Sequence, residues 1–385
     1  MVLLLLLWQL FFLGMNKYYL FLTLLLLFGE CYQKNGTNLD VEDSVEVAFN
    51  YATHIKISKS SDGYYATIRN PWDTTKTLHK YFLTDKDSAN ADGCTVIHTP
   101  VDNALIFTSL HAGLVKTLGC KNAIKSLCDV EYVLDKEILD DVKSGKIKDL
   151  GSSMNPDIEN ILLQNPDIIM LSPYETSGGF GLLDKTDIPL VECADYMENS
   201  PLGQAEWMKF YGLIFNKLET ADSIFAEVEK NYLSLKSLVS DLPSKPSLLA
   251  NSLTGAQWYM ATGNSTAGRF YADAGFNFLF NYLDTYGTVP LNFETVFAKA
   301  YNADYWIVKY NRDKDYDLQS FAAEHPNYKD FKAFKDRNIY FCNLSYIPYY
   351  DETPFRPDLL LKDLIKIAHP EMLEYYSLRY FTKVE

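Results

Sequence analysis

Between Asn155 and Leu171 the period of the apolar positions changes. Ile158, Ile161 and Leu162 recur at helical spacing, with Asn155 as an N-cap, Pro156 at the first helical position and Asp157 where the helix dipole favours an anion. The pattern predicts a short helix, ended by Asn165-Pro166 because proline disfavours the helical conformation before it. Ile168-Ile169-Met170-Leu171 then runs apolar without alternation, as in a parallel strand covered on both faces. Ser172-Pro173-Tyr174-Glu175 follows at the carboxyl end of that strand, where open parallel sheets form their ligand crevices.

The same helix-strand pattern returns downstream. Phe293-Glu294-Thr295-Val296 parallels Ile158-Glu159-Asn160-Ile161, and Tyr305 to Val308 parallels Ile168 to Leu171. Each copy carries a glutamate in its first helical turns and a polar, aromatic loop after its strand, which places Tyr310 in the second loop. Two such units predict two similar lobes with mostly parallel sheets facing a common cleft, an α/β architecture.

Other segments fit around these units. Val45 to Leu83 reads as strands and turns, with Ser60-Ser61-Asp62-Gly63 as a hairpin signal, and is taken as an antiparallel extension of the first lobe. Thr95 to His98 is a strand, Thr99 to Asn103 a loop, and Ala104 to Leu118 a helix stopped at Gly119. From Gly203 to Leu242 apolar residues recur at steps of three or four, which predicts either one long helix or a hairpin broken at Gly212. About 35 residues would reach roughly 50 Å, enough to bridge two lobes rigidly. The resulting division is a first lobe over 45–200, a connector over 201–242 and a second lobe over 243–385.

Composition narrows the function. The chain has 385 residues, 48% of them apolar, enough to fill two ordinary cores. Its net charge of -15, with no Lys/Arg cluster, argues against nucleic acid and favours docking onto basic surfaces. Residues 1–30 read as a signal segment, with Met15 an alternative start and an apolar run from Tyr18 to Phe28 that is short for a membrane span. Cys31 follows directly, as a lipid acceptor or a leftover thiol, and 31–44 read as a tether. Cys94, Cys120, Cys128, Cys193 and Cys342 show no zinc or redox spacing, and free, buried thiols suit most of them.

The two helix-strand units, with the closing stretch Pro354-Phe355-Arg356-Pro357 to His369-Pro370-Glu371, resemble the periplasmic solute-binding proteins that deliver iron-siderophores, haem or cobalamin to ABC importers. The resemblance runs from about Thr95 to Glu371. It implies a monomeric binding protein, anchored by lipid at Cys31, that holds a chelated metal as cargo and needs no cofactor of its own. It further implies that Glu159 and Glu294 dock to arginines of a permease dimer, and that the Thr99–Asn103 loop, with Pro100 and Asn103, contacts ligand.

The remaining ligand candidates follow from residue type and place. Tyr174 and Glu175 lie past a first-lobe strand; Trp258, Tyr310, Tyr349 and Tyr350 supply aromatic faces beside second-lobe strands. Arg356 either anchors the following helix or meets an anionic ligand. A bare metal ion is disfavoured, since these loops offer Tyr, Ser, Asn and Trp and few His or carboxylates. No GxSxG elbow or HExxH helix is present, which leaves a chelatase-like enzyme, or a surface lipoprotein acting without a permease, as the rival classes.

Overall fold

A computed structural model describes residues 45–87, 91–175, 179–285 and 287–384. Residues 1–44, expected to hold a signal segment, the acceptor Cys31 and a tether, lie outside the described residues.

The chain opens with a five-stranded sheet, β1 (Val45–Val47), β2 (Ile55–Lys59), β3 (Tyr64–Arg69), β4 (Thr77–Thr84) and β5 (Thr95–His98), in sequential order. β1 to β4 are antiparallel, and the β2–β3 hairpin closes with Ser60 N–H donating to Gly63 O at 2.8 Å. β5 pairs parallel to β4, so Thr95–His98 belongs to this sheet and does not begin the next one.

The first parallel sheet comprises β6 (Ala104–Ile106), β7 (Ile124–Leu127), β8 (Lys148–Asp149), β9 (Ile168–Leu171) and β10 (Leu190–Glu192), ordered β10-β9-β6-β7-β8. Its helices are α1 (Ser109–Thr117), α2 (Lys136–Lys143) and α3 (Ile158–Gln164). Two expectations are corrected here. Ala104–Ile106 is a fully buried strand, and the helix starts only at Ser109, capped by Thr108. The cap of α3 is Asp157, whose carboxylate accepts from Asn160 N–H, two residues beyond the expected Asn155. The N-terminal sheet reaches this one through Tyr81, whose hydroxyl donates to Leu190 O and accepts from Glu192 N–H on β10.

The connector is broken, not continuous. α4 (Pro201–Glu206) and α5 (Met208–Ile214) precede α6 (Leu218–Val239), which alone is 22 residues long, about 33 Å at 1.5 Å per residue. Asn216 at φ 52 takes the left-handed conformation that ends helices. Gly212 makes the turn possible, because a Cβ there would lie 2.7 Å from Ala221 Cβ and 3.0 Å from Lys217 O. α6 still packs on both lobes: Phe225 meets Tyr51 edge-on, and Tyr232 donates to Asp273 at 2.8 Å.

The second lobe contains β11 (Ser247–Ala250), β12 (Leu253–Thr254), β13 (Gln257–Ala261), α7 (Thr266–Asp273), β14 (Asn277–Phe278), β15 (Thr288–Leu291), α8 (Phe293–Ala300) and β16 (Tyr305–Tyr310). It closes with α9 (Leu318–Glu324), α10 (Lys332–Lys335), β17 (Ile339–Asn343), α11 (Tyr349–Glu352), α12 (Pro357–Ala368) and β18 (Thr382–Lys383). Its main sheet is ordered β14-β11-β16-β17-β18, parallel except for β18, and β12-β13-β15 form a small antiparallel sheet. The order β10-β9-β6-β7 in the first lobe therefore matches β17-β16-β11-β14 in the second, with β9 and β16 as equivalents. This is the repeat that the two helix-strand units signal.

Candidate ligand cleft

Between the lobes lies a cavity of about 540 Å³. From the first lobe it receives residues past the carboxyl ends of three parallel strands: Thr108 after β6, Ser172 after β9, and Asp195 with Tyr196 after β10. From the second it receives Lys309 on β16, Tyr349 and Tyr350 on α11, and Thr266 and Phe270 on α7. The volume lies within the range usual for small-molecule sites.

Lys309 dominates the second-lobe wall. Its ammonium stands 4.8 Å from the Tyr349 ring centre and 5.3 Å from that of Tyr350, a geometry that holds a cation on two π faces. Burial works against its charge, but the phenol oxygens of Tyr349, Tyr350 and Tyr271 outweigh it, and the pKa is raised. Burial pushes the pKa of the Tyr349 hydroxyl up, and Lys309 offsets part of that rise. No carboxylate forms an ion pair with Lys309 among the described residues. The wall thus offers a cation with aromatic faces, Tyr349 buried and Tyr350 56% exposed.

The first-lobe floor is polar and internally paired. Asp195 is fully buried and accepts from His111 Nε2 at 2.9 Å and from the Tyr211 hydroxyl at 2.6 Å. Burial opposes charge on His111, but Cys193 and Asp195 outweigh it and raise its pKa to about 10. Ser109 donates to Asp351 across the groove, and beyond that bridge lies a second hollow of about 390 Å³ reached by Arg356, Tyr346 and Phe355.

The structure brings Tyr349 and Tyr350 into the main cavity, and several other candidates elsewhere. Trp258 is fully buried, stacked 5.8 Å from Trp306, with its indole N–H donating to Ala250 O at 2.8 Å; it is core, and its neighbour Tyr259 faces out. Tyr310 donates to Asp315 and packs on Tyr316 at 4.5 Å, one strand position away from Lys309 and outside the cavity lining. Pro100 and Asn103 precede β6, at the opposite end of the sheet, where Asn103 Nδ2 donates to Gln164 O and Asn165 O. Pro100 borders a separate hollow with Lys125 and Asn216. Tyr174 and Glu175 are exposed past β9 and do not line the cavity. Arg356 makes a two-pronged bond with Asp358, both at 2.9 Å, and so anchors α12. Glu159 and Glu294 are exposed, each the second residue after its Asx cap, Asp157 or Asn292. Neither makes an ion pair among the described residues.

Lys309, Thr108, His111 and Asp195 were not among the sequence candidates. Lys309 had a signal, a lone cation in the run Tyr-Trp-Ile-Val-Lys-Tyr. His111 and Asp195 are 84 residues apart, and nothing local joins them.

Strand ends from two equivalent sheets meeting over one cavity is a binding-protein arrangement, and the sequence profile described as periplasmic binding protein matches residues 128–345. The chain belongs to that family. An uncharacterized lipoprotein of Methanocaldococcus jannaschii is 26% identical over 382 residues, spanning 91% of this chain and 89% of its own length. A second uncharacterized protein of that organism is 27% identical over 300 residues, 74% of this chain and 87% of its own. Among solved structures, a possible iron-binding periplasmic solute-binding protein of Staphylococcus epidermidis aligns with TM-score 0.55 and 18% identity, over 70% of this chain and 99% of its own. A periplasmic heme binding protein of Pseudomonas aeruginosa aligns with TM-score 0.57 and 14% identity, over 74% and 98%. These likenesses establish the two-lobed fold of this periplasmic binding protein. Among the described residues no helix is long and apolar enough to cross a membrane.

Proposed function

We propose that this periplasmic binding protein captures a chelated metal in the interlobe cavity and delivers it to an ABC importer. The observation that carries this reading is Lys309, held on the faces of Tyr349 and Tyr350 with no carboxylate partner among the described residues. A half-buried cation beside aromatic rings suits a flat or bulky ligand that carries negative oxygen, as ferric siderophores and haem do. The cavity of about 540 Å³ lies within the size range of small-molecule sites. The printed names of two structural neighbours, one iron-binding and one heme binding, point the same way.

Delivery rests on Glu159 and Glu294. Two exposed carboxylates, without an ion pair among the described residues and in equivalent positions of the two lobes, match the need to register a monomer on a dimeric permease, and their charge would steer the encounter more than tighten it. Export and lipid anchoring at Cys31 complete the reading, supported by the lipoprotein names of relatives. The test is intrinsic fluorescence quenching by haem, a ferric trihydroxamate, a ferric tris-catecholate and cobalamin. Saturable quenching by one of the first three is expected; saturation by cobalamin alone would move the assignment to corrinoids, and turnover of any of them would favour an enzyme.

A further inference from the structure

The cleft floor contains a hydrogen-bond chain that capture by Lys309 does not use. Asp195 accepts from His111 Nε2 at 2.9 Å, from Tyr211 at 2.6 Å and from Gln204 Nε2 at 3.5 Å. A carboxylate only accepts, so Nε2 of His111 carries a proton. The other ring nitrogen, Nδ1, is 2.5 Å from Thr108 Oγ1. If the ring is neutral, Nδ1 takes the threonine proton; if the ring is an imidazolium, Nδ1 donates to the threonine oxygen.

The surroundings favour the imidazolium. Asp195 is fully buried, and no lysine or arginine pairs with it among the described residues. The groups facing the ring are Asp195, Cys193 and Tyr211 from the first lobe and the uncharged Phe355 ring, 6.1 Å away, from the second. Among the described residues His111 is the one basic side chain bonded to that carboxylate, and an uncompensated buried charge is costly. The raised pKa of His111 agrees with that geometry. Thr108 Oγ1 then accepts twice, from His111 Nδ1 and, as cap of α1, from His111 N–H at 3.4 Å. Both lone pairs are used. The hydroxyl proton has no acceptor among the described residues, and Thr108 lines the cavity.

We propose that Thr108 is the first-lobe hydrogen-bond donor to the captured ligand, fixed in that sense by the Asp195–His111 pair. It selects for a carboxylate, catecholate or hydroxamate oxygen, while Lys309 supplies the cation from the other lobe. This rests on the reading of the cavity as the ligand site.

Two measurements test it. In purified protein labelled with ¹⁵N-histidine, both ring nitrogens of His111 should give imidazolium shifts at pH 7.5, and Asp195→Asn should return the ring to the neutral form. A neutral His111 in the parent protein overturns the proposal. Binding is then compared with a ferric tris-catecholate, a ferric trihydroxamate and haem as probes. Thr108→Val should weaken the bound probe at least tenfold, and Thr108→Ser by less than threefold. Equal affinity of Thr108→Val and the parent overturns the proposal while leaving capture intact. If the parent binds none of the probes, the functional reading fails instead, and the nitrogen spectrum still decides the state of His111.

Discussion

Ser109 of α1 donates a hydrogen bond of 2.5 Å to Asp351 of α11, one lobe to the other, on the partition between the two interlobe hollows. Burial raises the pKa of Asp351, and the Ser109 bond offsets part of that rise. Ser109→Ala leaves a half-buried carboxylate without its donor. The expected loss is about 1–3 kcal/mol in urea unfolding, the cost of orphaning a buried polar group. Unchanged stability would mean that the lobes do not meet at this contact in solution.

Trp258 belongs to the aromatic core of the second lobe, between Trp306, Tyr328 and Phe331. Trp258→Phe removes the donor to Ala250 O and should cost roughly 1–3 kcal/mol of stability. Chelate affinity, measured by titration calorimetry, should stay within twofold of the parent. A large loss of affinity with normal stability would return Trp258 to the ligand site.

These two cases show which physical signals the sequence carries. Helix caps and apolar runs are local, so the units 155–171 and 292–308 could be recognised, and the strand order shows them to be equivalent. Strand parity is also local, but its phase is not. Of the neighbours Trp258 and Tyr259 tertiary packing buries only the first, and of Lys309 and Tyr310 only Lys309 lines the cavity while Tyr310 packs on Tyr316. Ala104–Ile106 carries the apolar content of a helix start but forms the first strand of the parallel sheet, so Pro100 and Asn103 lie at the end of that sheet opposite the cavity. The Asp195–His111 pair joins distant segments, and only the fold creates it.

The His111–Asp195 pair makes stability depend on pH. The folded pKa of His111 is raised from 6.5 to about 10, so its contribution is fully present below pH 6.5 and is lost as pH rises through 10. The melting temperature of the parent should fall over that window, and the fall should be shallower in Asp195→Asn. Parallel pH curves for the two proteins would contradict the ion pair.

Glu159 and Glu294 are solvent-exposed and make no ion pair among the described residues. Replacing both by arginine should leave chelate affinity and melting temperature nearly unchanged, since surface changes of this kind usually stay within about 0.5 kcal/mol. Uptake by cells should fall, because like charges would then face a basic permease surface. Import at the parental rate would remove these residues from docking.

The capture claim is tested most directly by titrating Lys309→Met and Tyr350→Ala with the chelate that quenches the parent protein. Lys309→Met keeps the aliphatic stem and removes the charge; Tyr350→Ala removes an exposed ring from the same wall. The account expects each variant to bind at least tenfold more weakly, about 1.4 kcal/mol or more, with an unchanged melting temperature. Dissociation constants within twofold of the parent for both variants would contradict it.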